Sequence, residues 1–299
     1  MNERMKILIA YDGSECADVA LADLKRAGLP RQAEVIVLSV MEQWLPLPTS
    51  FGMVETDFHR ELIDEEKNTQ ALAQRGHTKV HSLFPEWELH AEAAIGSPGT
   101  VLIQKADEWQ PDLIVVGSHG RAALGRFFLG SVSQKVVHEA HGSVRVARGR
   151  TSKPDEPVRI LIGVDGSVGA EAAIQAVMMR TWPKGSAARI VNAAMTIPPI
   201  TAEHMIGPIS QWVASESARV KKMTESALSR LRGIGLEVTS VEKEEDPRHL
   251  LCHEAESWEA DGIFTGARGM GQLERFLIGS VSSSVAARAH CSVEVVRPA

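Results

Sequence analysis

Short apolar runs alternate with longer amphipathic stretches along this chain, and the alternation happens twice. The runs near 5–12, 34–40, 88–93, 113–117 and 143–147 are four to eight residues long and rich in Ile, Val and Leu, which predicts strands. Between them the apolar residues recur at helical spacing, which predicts helices near 15–27, 55–76, 99–109 and 131–140. The second half gives strands near 158–165, 188–194, 236–242, 262–266 and 292–296, and helices near 168–180, 210–232, 247–258 and 280–289. Strands that are apolar on both faces and alternate with helices predict a parallel sheet covered on both sides, so each half is expected to be a doubly wound, Rossmann-like α/β domain.

The two halves also repeat residue by residue. Lys6–Ser14 (KILIAYDGS) returns as Arg159–Ser167 (RILIGVDGS), and Ala140–Val146 (AHGSVRV) returns as Ala289–Val295 (AHCSVEV). Between the copies, the stretch through Pro154 and Pro157 is polar and has no apolar period. The expected organisation is a first domain over 1–149, a linker over 150–157 and a second domain over 158–299.

The most specific repeat carries chemistry. Gly117-x2-Gly120-x9-Gly130-Ser131 follows the fourth strand of the first half, and Gly266-x2-Gly269-x9-Gly279-Ser280 follows that of the second. A strand, a glycine loop and a helix N-terminus in that order suit phosphate: the backbone can approach closely, and the helix start offers N–H groups and the positive end of its dipole. Asp12 and Asp165 end the first strands. In a doubly wound sheet both signals fall at the carboxyl ends of the strands, in one crevice per domain. The two aspartates also suit plain capping of the next helix.

With these motifs assembled, the chain resembles a tandem universal stress protein of the nucleotide-binding branch, over essentially its whole length. That resemblance implies five-stranded parallel sheets of order 3-2-1-4-5 and binding of ATP or another adenine nucleotide (AMP, ADP), with Mg2+ as a candidate companion. It implies that Gly117, Gly120, Gly130 and Ser131 form the phosphate and ribose loop, with the Ser133 hydroxyl beside them, that Asp12 contacts the nucleoside or a phosphate-bound metal, and that Val40 meets adenine. The counterparts are Asp165, Gly266, Gly269, Gly279, Ser280 and Ser282, with Ala193, or Ala194, at the adenine position. Ser118-His119 becomes Ala267-Arg268, a change that leaves the glycines intact. The resemblance further implies pairing through the last strands, here Val144–Ala147 with Val293–Val296, as an intramolecular pseudo-dimer. A homodimer of two chains stays open.

Composition narrows the classes. A formal charge of −6 argues against nucleic acid as a main partner. No apolar run approaches the roughly 20 residues that cross a bilayer, and three cysteines without a CxxC pair fit a reducing cytoplasm. There is no Gly-x4-Gly-Lys-Ser/Thr, no Gly-x-Ser-x-Gly and no Gly-x-Gly-x-x-Gly after a first strand, so binding is favoured over catalysis. A slow hydrolase or transferase on the same fold, and a scaffold that binds nothing, remain the competing readings. Arg121, Arg126, Arg268 and Arg275 lie in the loops as candidate phosphate contacts. His249 and His253, four apart on a helix, lack the further ligands of a closed zinc site, and His77 and His81 are expected to straddle a helix end. Residues 61–67 read as a solvated charged face. Residues 42–54 and 195–209 read as long loops, and Met178, Met179 and the tryptophans as core or interface packing.

Overall fold

The computed structural model describes residues 4–42, 55–120, 129–148, 156–194, 203–269 and 278–298, with the side chains of 55–62 and 203–209 outside that description. Most of the two predicted long loops (43–54 and 195–202), the arginines Arg121, Arg126 and Arg275, and most of the linker fall outside it. Contacts divide the chain into two units, Met1–Lys25 with Pro30–Arg148, and Gly149–Ala299 with Arg26–Leu29.

The first unit runs β1 (Met5–Ala10), α1 (Glu15–Asp23), β2 (Ala33–Met41), α2 (Glu55–Leu83), β3 (Glu88–Ile95), α3 (Pro98–Trp109), β4 (Leu113–Gly117), α4 (Ser131–Glu139) and β5 (Ser143–Ala147). β1 pairs in parallel with β2 and β4, β2 with β3, and β4 with β5. Ile7, Leu8 and Ile9 of β1 are all fully buried, because helices cover both faces of the sheet.

The second unit repeats this with β6 (Arg159–Gly163), α5 (Val168–Met178), β7 (Ala187–Ala193), α6 (Glu203–Gly233), β8 (Glu237–Lys243), α7 (Pro247–Ser257), β9 (Gly262–Gly266), α8 (Ser280–Arg288) and β10 (Ser292–Val296). β6 pairs in parallel with β7 and β9, β7 with β8, and β9 with β10. Its core joins Ile160, Ile162 and Phe264 of the sheet to Ile174 and Val177 of α5 and Ala227 and Leu231 of α6.

Several boundaries differ from the sequence reading, each for a local reason. α2 does not stop at Gly76. A Cβ there would lie 2.8 Å from the Tyr11 ring and from Val37 Cγ1, so the glycine serves close packing of the helix on the sheet. His77 and His81 therefore sit on one helix, with rings stacked 6.3 Å apart, and do not straddle its end. α6 begins at Glu203, inside the segment read as loop. Pro208 falls within its first two turns, where a missing N–H removes one backbone bond. α1 ends at Asp23 and continues as a short 3-10 turn, Leu24–Arg26. Met179, at 86% exposure, and Trp212, at 51%, are not core residues. Met179 caps α5 beyond its last buried residue, Val177, and Trp212 precedes Val220, the first buried residue among the described side chains of α6. The charged run behaves as expected: Asp64, Glu65, Glu66 and Lys67 are exposed.

Candidate functional site

Each unit holds one large cavity at the carboxyl ends of its strands, of about 770 Å³ in the first and about 680 Å³ in the second. Both lie within the range of small-molecule and cofactor sites. The first is lined by Asp12, Val40, Gly117, Gly120, Gly130, Ser131 and Ser133, and the second by Asp165, Ala193, Gly266, Gly269, Gly279, Ser280 and Ser282. The aspartates, glycines, serines and second-strand residues named from the sequence thus come together in two places, seven in each unit.

The Asp-Gly-Ser turn after the first strand is built the same way twice. Gly13 and Gly166 have φ of 73° and 82°, left-handed values that favour glycine. The turn brings the serine amide back to the aspartate: Ser14 N donates to Asp12 Oδ1 at 3.0 Å, and Ser167 N donates to Asp165 Oδ1 at 2.9 Å. Each serine then caps the next helix, its Oγ accepting from Ala17 N or Ala170 N at 3.1 Å. Capping is therefore one role of this motif, performed by Ser14 and Ser167 with the aspartates holding the turn. The other aspartate oxygen faces the glycine loop. A Cβ on Gly120 would lie 3.0 Å from Asp12 Oδ2, and one on Gly269 would lie 2.4 Å from Asp165 Oδ2.

The loop glycines serve close approach. Gly130 and Gly279 have ordinary φ values of −61° and −81°. Their amides donate to Ser118 O and Ala267 O at 2.8 and 2.7 Å, closing each loop onto itself. As N-cap residues of α4 and α8 they bring no side-chain acceptor, unlike Ser14 and Ser167, so the first-turn N–H groups of the two cavity-facing helices have no side-chain cap. Ser133 and Ser282 are buried, and their hydroxyls donate to Gly117 O and Gly266 O at 2.6 Å. They clamp helix to strand, while Ser131 and Ser280 stand exposed at the helix starts.

Strand register decides the counterpart of Val40. Ala10 lies opposite Leu38 and Gly163 opposite Val191, so two residues on, Val40 matches Ala193 rather than Ala194. Both alanines line the second cavity.

The sequence reading missed several wall residues. Leu38, Val116 and Leu102 line the first cavity, and Val191, Thr265 and Leu251 the second. Apolar residues at strand ends and on helix faces look like core, so nothing local marked them. Tyr11, the one tyrosine of the chain, donates its OH to Asp18 Oδ1 at 2.7 Å. Burial and this contact push its phenol up to about 12. Asp18 is held below the usual carboxylate range: burial raises it, but Lys79, Tyr11 and Arg75 outweigh that.

His249 and His253 stack with rings 6.0 Å apart, and His249 Nδ1 contacts Glu245 Oε1. Among the described residues no cluster of three or more His, Cys, Asp or Glu has metal-site geometry.

The Universal stress protein family model matches residues 3–148 and again 158–297, nearly the whole chain as two copies. The chain belongs to the universal stress protein family. A tandem relative, a universal stress protein of Mycolicibacterium smegmatis, is 28% identical, with 98% of this chain and 97% of that one covered. The crystal structure of a universal stress protein from Archaeoglobus fulgidus shares the fold across 98% of this chain and 96% of its own, at a TM-score of 0.61 and 19% identity. A family protein from Arabidopsis thaliana was solved with AMP bound. It covers 48% of this chain and 93% of its own, at 16% identity and a TM-score of 0.35, a likeness too slight to bear on this chain's ligand.

One test separates the two roles of Asp12. Asp12→Asn keeps the Oδ1 acceptor for Ser14, so its melting temperature should match wild type. Asp12→Ala loses that acceptor and should cost about 1 kcal/mol. Thermal unfolding reads the difference. Equal losses in both variants would place the charge, not the turn, at the root of the effect.

Proposed function

We propose that this chain binds an adenine nucleotide, ATP in the first instance with AMP or ADP as alternatives, in one or both cavities, and acts as a cytoplasmic stress-response sensor rather than an enzyme. The observation that carries this reading is the repeated coincidence, in one cavity, of an aspartate, a glycine loop and a helix start without a side-chain cap. The helix start supplies what a phosphate accepts from: backbone N–H groups, an exposed hydroxyl (Ser131 or Ser280) and the dipole's positive end. The carboxylates of Asp12 and Asp165 beside these loops suit ribose hydroxyls, or a Mg2+ ion shared with phosphate oxygens; bare phosphate they would repel. The apolar side chains at the strand ends suit a flat base. Binding would fix the glycine loop against the aspartate and so change the surface offered to a partner. The intramolecular pairing of the halves is part of the same reading and rests on the duplicated sequence. Among the described residues no helix is long and apolar enough to cross a membrane.

The test is mass spectrometry of the ligand released from gently purified, denatured protein, with nucleotide counted per chain. Two equivalents are expected if both cavities bind and one if the halves have diverged. No nucleotide, together with no heat of ATP binding in the presence of magnesium, would leave a scaffold.

A further inference from the structure

The two cavity loops share their glycines but differ at the residue before the second one, His119 in the first and Arg268 in the second. Both residues line their cavities. A guanidinium stays charged at every pH a cell reaches, whereas histidine is the side chain whose charge ordinarily changes between about pH 5 and 8. His119 is tethered at one ring nitrogen, with Nδ1 lying 3.1 Å from Ser118 Oγ. Its other nitrogen, Nε2, is shielded from solvent and has no hydrogen-bond partner among the described residues. A buried polar atom in that state is costly, and a turn of the ring that brings Nε2 into the cavity against a ligand oxygen would relieve the cost. The residue also sits against the start of α4: a Cβ on Gly130, the N-cap, would lie 3.4 Å from His119 Cα. That is where an anion is favoured.

We infer that His119 Nε2–H donates to a phosphate oxygen of the nucleotide, so that the first cavity takes up a proton with its ligand while the second, served by Arg268, does not. The inference rests on the nucleotide reading above and adds regulation to it. One half answers to nucleotide and pH together, the other to nucleotide alone. The titratable groups on the other elements around the first cavity are Tyr11 and Asp12 after β1, Glu42 after β2 and Glu65 on α2, with Cys16 of α1 presenting its carbonyl to Gly117. Carboxylates as a class keep their charge between pH 6 and 8, and Tyr11 is pushed up to about 12, which leaves histidine as the residue type here that ordinarily changes charge across that window.

The experiment is calorimetric titration of the full chain with ATP at pH 6 and pH 8, each in two buffers of unlike ionisation enthalpy. It compares wild type with His119→Arg, His119→Gln and Arg268→His, after circular dichroism has shown each variant folded. ATP's own ionisation is common to all four and cancels in their ratios. Relative to His119→Arg, one class of wild-type sites should weaken about tenfold from pH 6 to pH 8, as a charge-assisted hydrogen bond gives way to a neutral one, with proton uptake at the lower pH. His119→Gln should bind at the weaker level throughout, and Arg268→His should make the second class pH-dependent as well. Identical pH responses in wild type, His119→Arg and His119→Gln would overturn the inference and leave nucleotide binding standing. No ATP binding in any of the four would overturn the nucleotide reading, and the inference with it.

Discussion

Gly266→Ala should destabilise the second unit by about 3 kcal/mol or more, at the upper end of what overpacking costs. The added Cβ would lie 2.3 Å from Gly169 C and 2.6 Å from Gly169 Cα, inside backbone that cannot swing away. Gly266 closes β9 and Gly169 lies in the first turn of α5, so relief requires moving a strand away from a helix. The equivalent change in the first unit is milder. A Cβ on Gly117 would lie 3.3 Å from Cys16 O, a contact that yields with a shift of a few tenths of an ångström, so Gly117→Ala should cost about 1 kcal/mol. Urea unfolding followed by tryptophan fluorescence can read both, because Trp182 and Trp258 lie in the second unit and Trp87 and Trp109 in the first. A Gly266→Ala protein as stable as Gly117→Ala would mean that strand and helix do not meet as closely as the geometry requires.

That contrast shows what the repeated motif did and did not reveal. The glycine spacing marked both loops, because a phosphate-binding backbone needs the same residues wherever it occurs. It did not reveal that the first glycine has a different partner in each half. Cys16 stands where the second unit has Gly169, so the closer approach belongs to the second unit alone, and the glycine spacing by itself says nothing of the residue packed against it. The α/β alternation was legible because strands buried on both faces must be apolar throughout, as Ile7–Ile9 and Leu113–Val116 are. Helix ends were less so. Gly76 reads as a stop but is the flat spot on which Tyr11 rests, and Gly207-Pro208 reads as a loop although α6 runs through it. Both errors arise where a residue chosen for tertiary contact, or tolerated near a helix start, carries the local signature of a break.

The site was legible in its polar frame and hidden in its apolar walls. Asp12, the glycines and the serines stand out because turns and helix starts restrict residue type. The roles within that frame needed coordinates. Ser133 and Ser282 look like spare phosphate donors in the sequence, but each donates to the carbonyl of a loop glycine, and the cap of the following helix belongs to Ser14 and Ser167 rather than to the aspartates.

Removing both cations around Glu254 should cost about 3–5 kcal/mol at neutral pH, the range for a buried charge left without its partners. Glu254 is 4% exposed on α7. Its Oε1 accepts from Lys243 Nζ at 2.6 Å and its Oε2 from Arg189 Nη1 at 3.2 Å, with the Arg189 guanidinium 4.4 Å from the Trp258 ring centroid. Burial raises this carboxyl, but Lys243 and Arg189 outweigh burial and hold it below the usual glutamate range. In wild type, therefore, the group's contribution is fully present above the ordinary glutamate value and is lost as the pH falls through the lower, folded value. In Arg189→Met with Lys243→Met only the burial effect remains, which raises the carboxyl and reverses the sign: that variant should regain stability on acidification, as Glu254 becomes neutral. Glu254→Leu should cost less than the double cation variant, because Lys243 and Arg189 are 46% and 22% exposed in their side chains and can turn to water. Urea midpoints from pH 7 down to pH 4 would show the gap between wild type and the double variant closing. A gap that stays constant with pH would mean that lost packing, such as the stacking of Arg189 on Trp258, and not the stranded carboxylate, accounts for the loss.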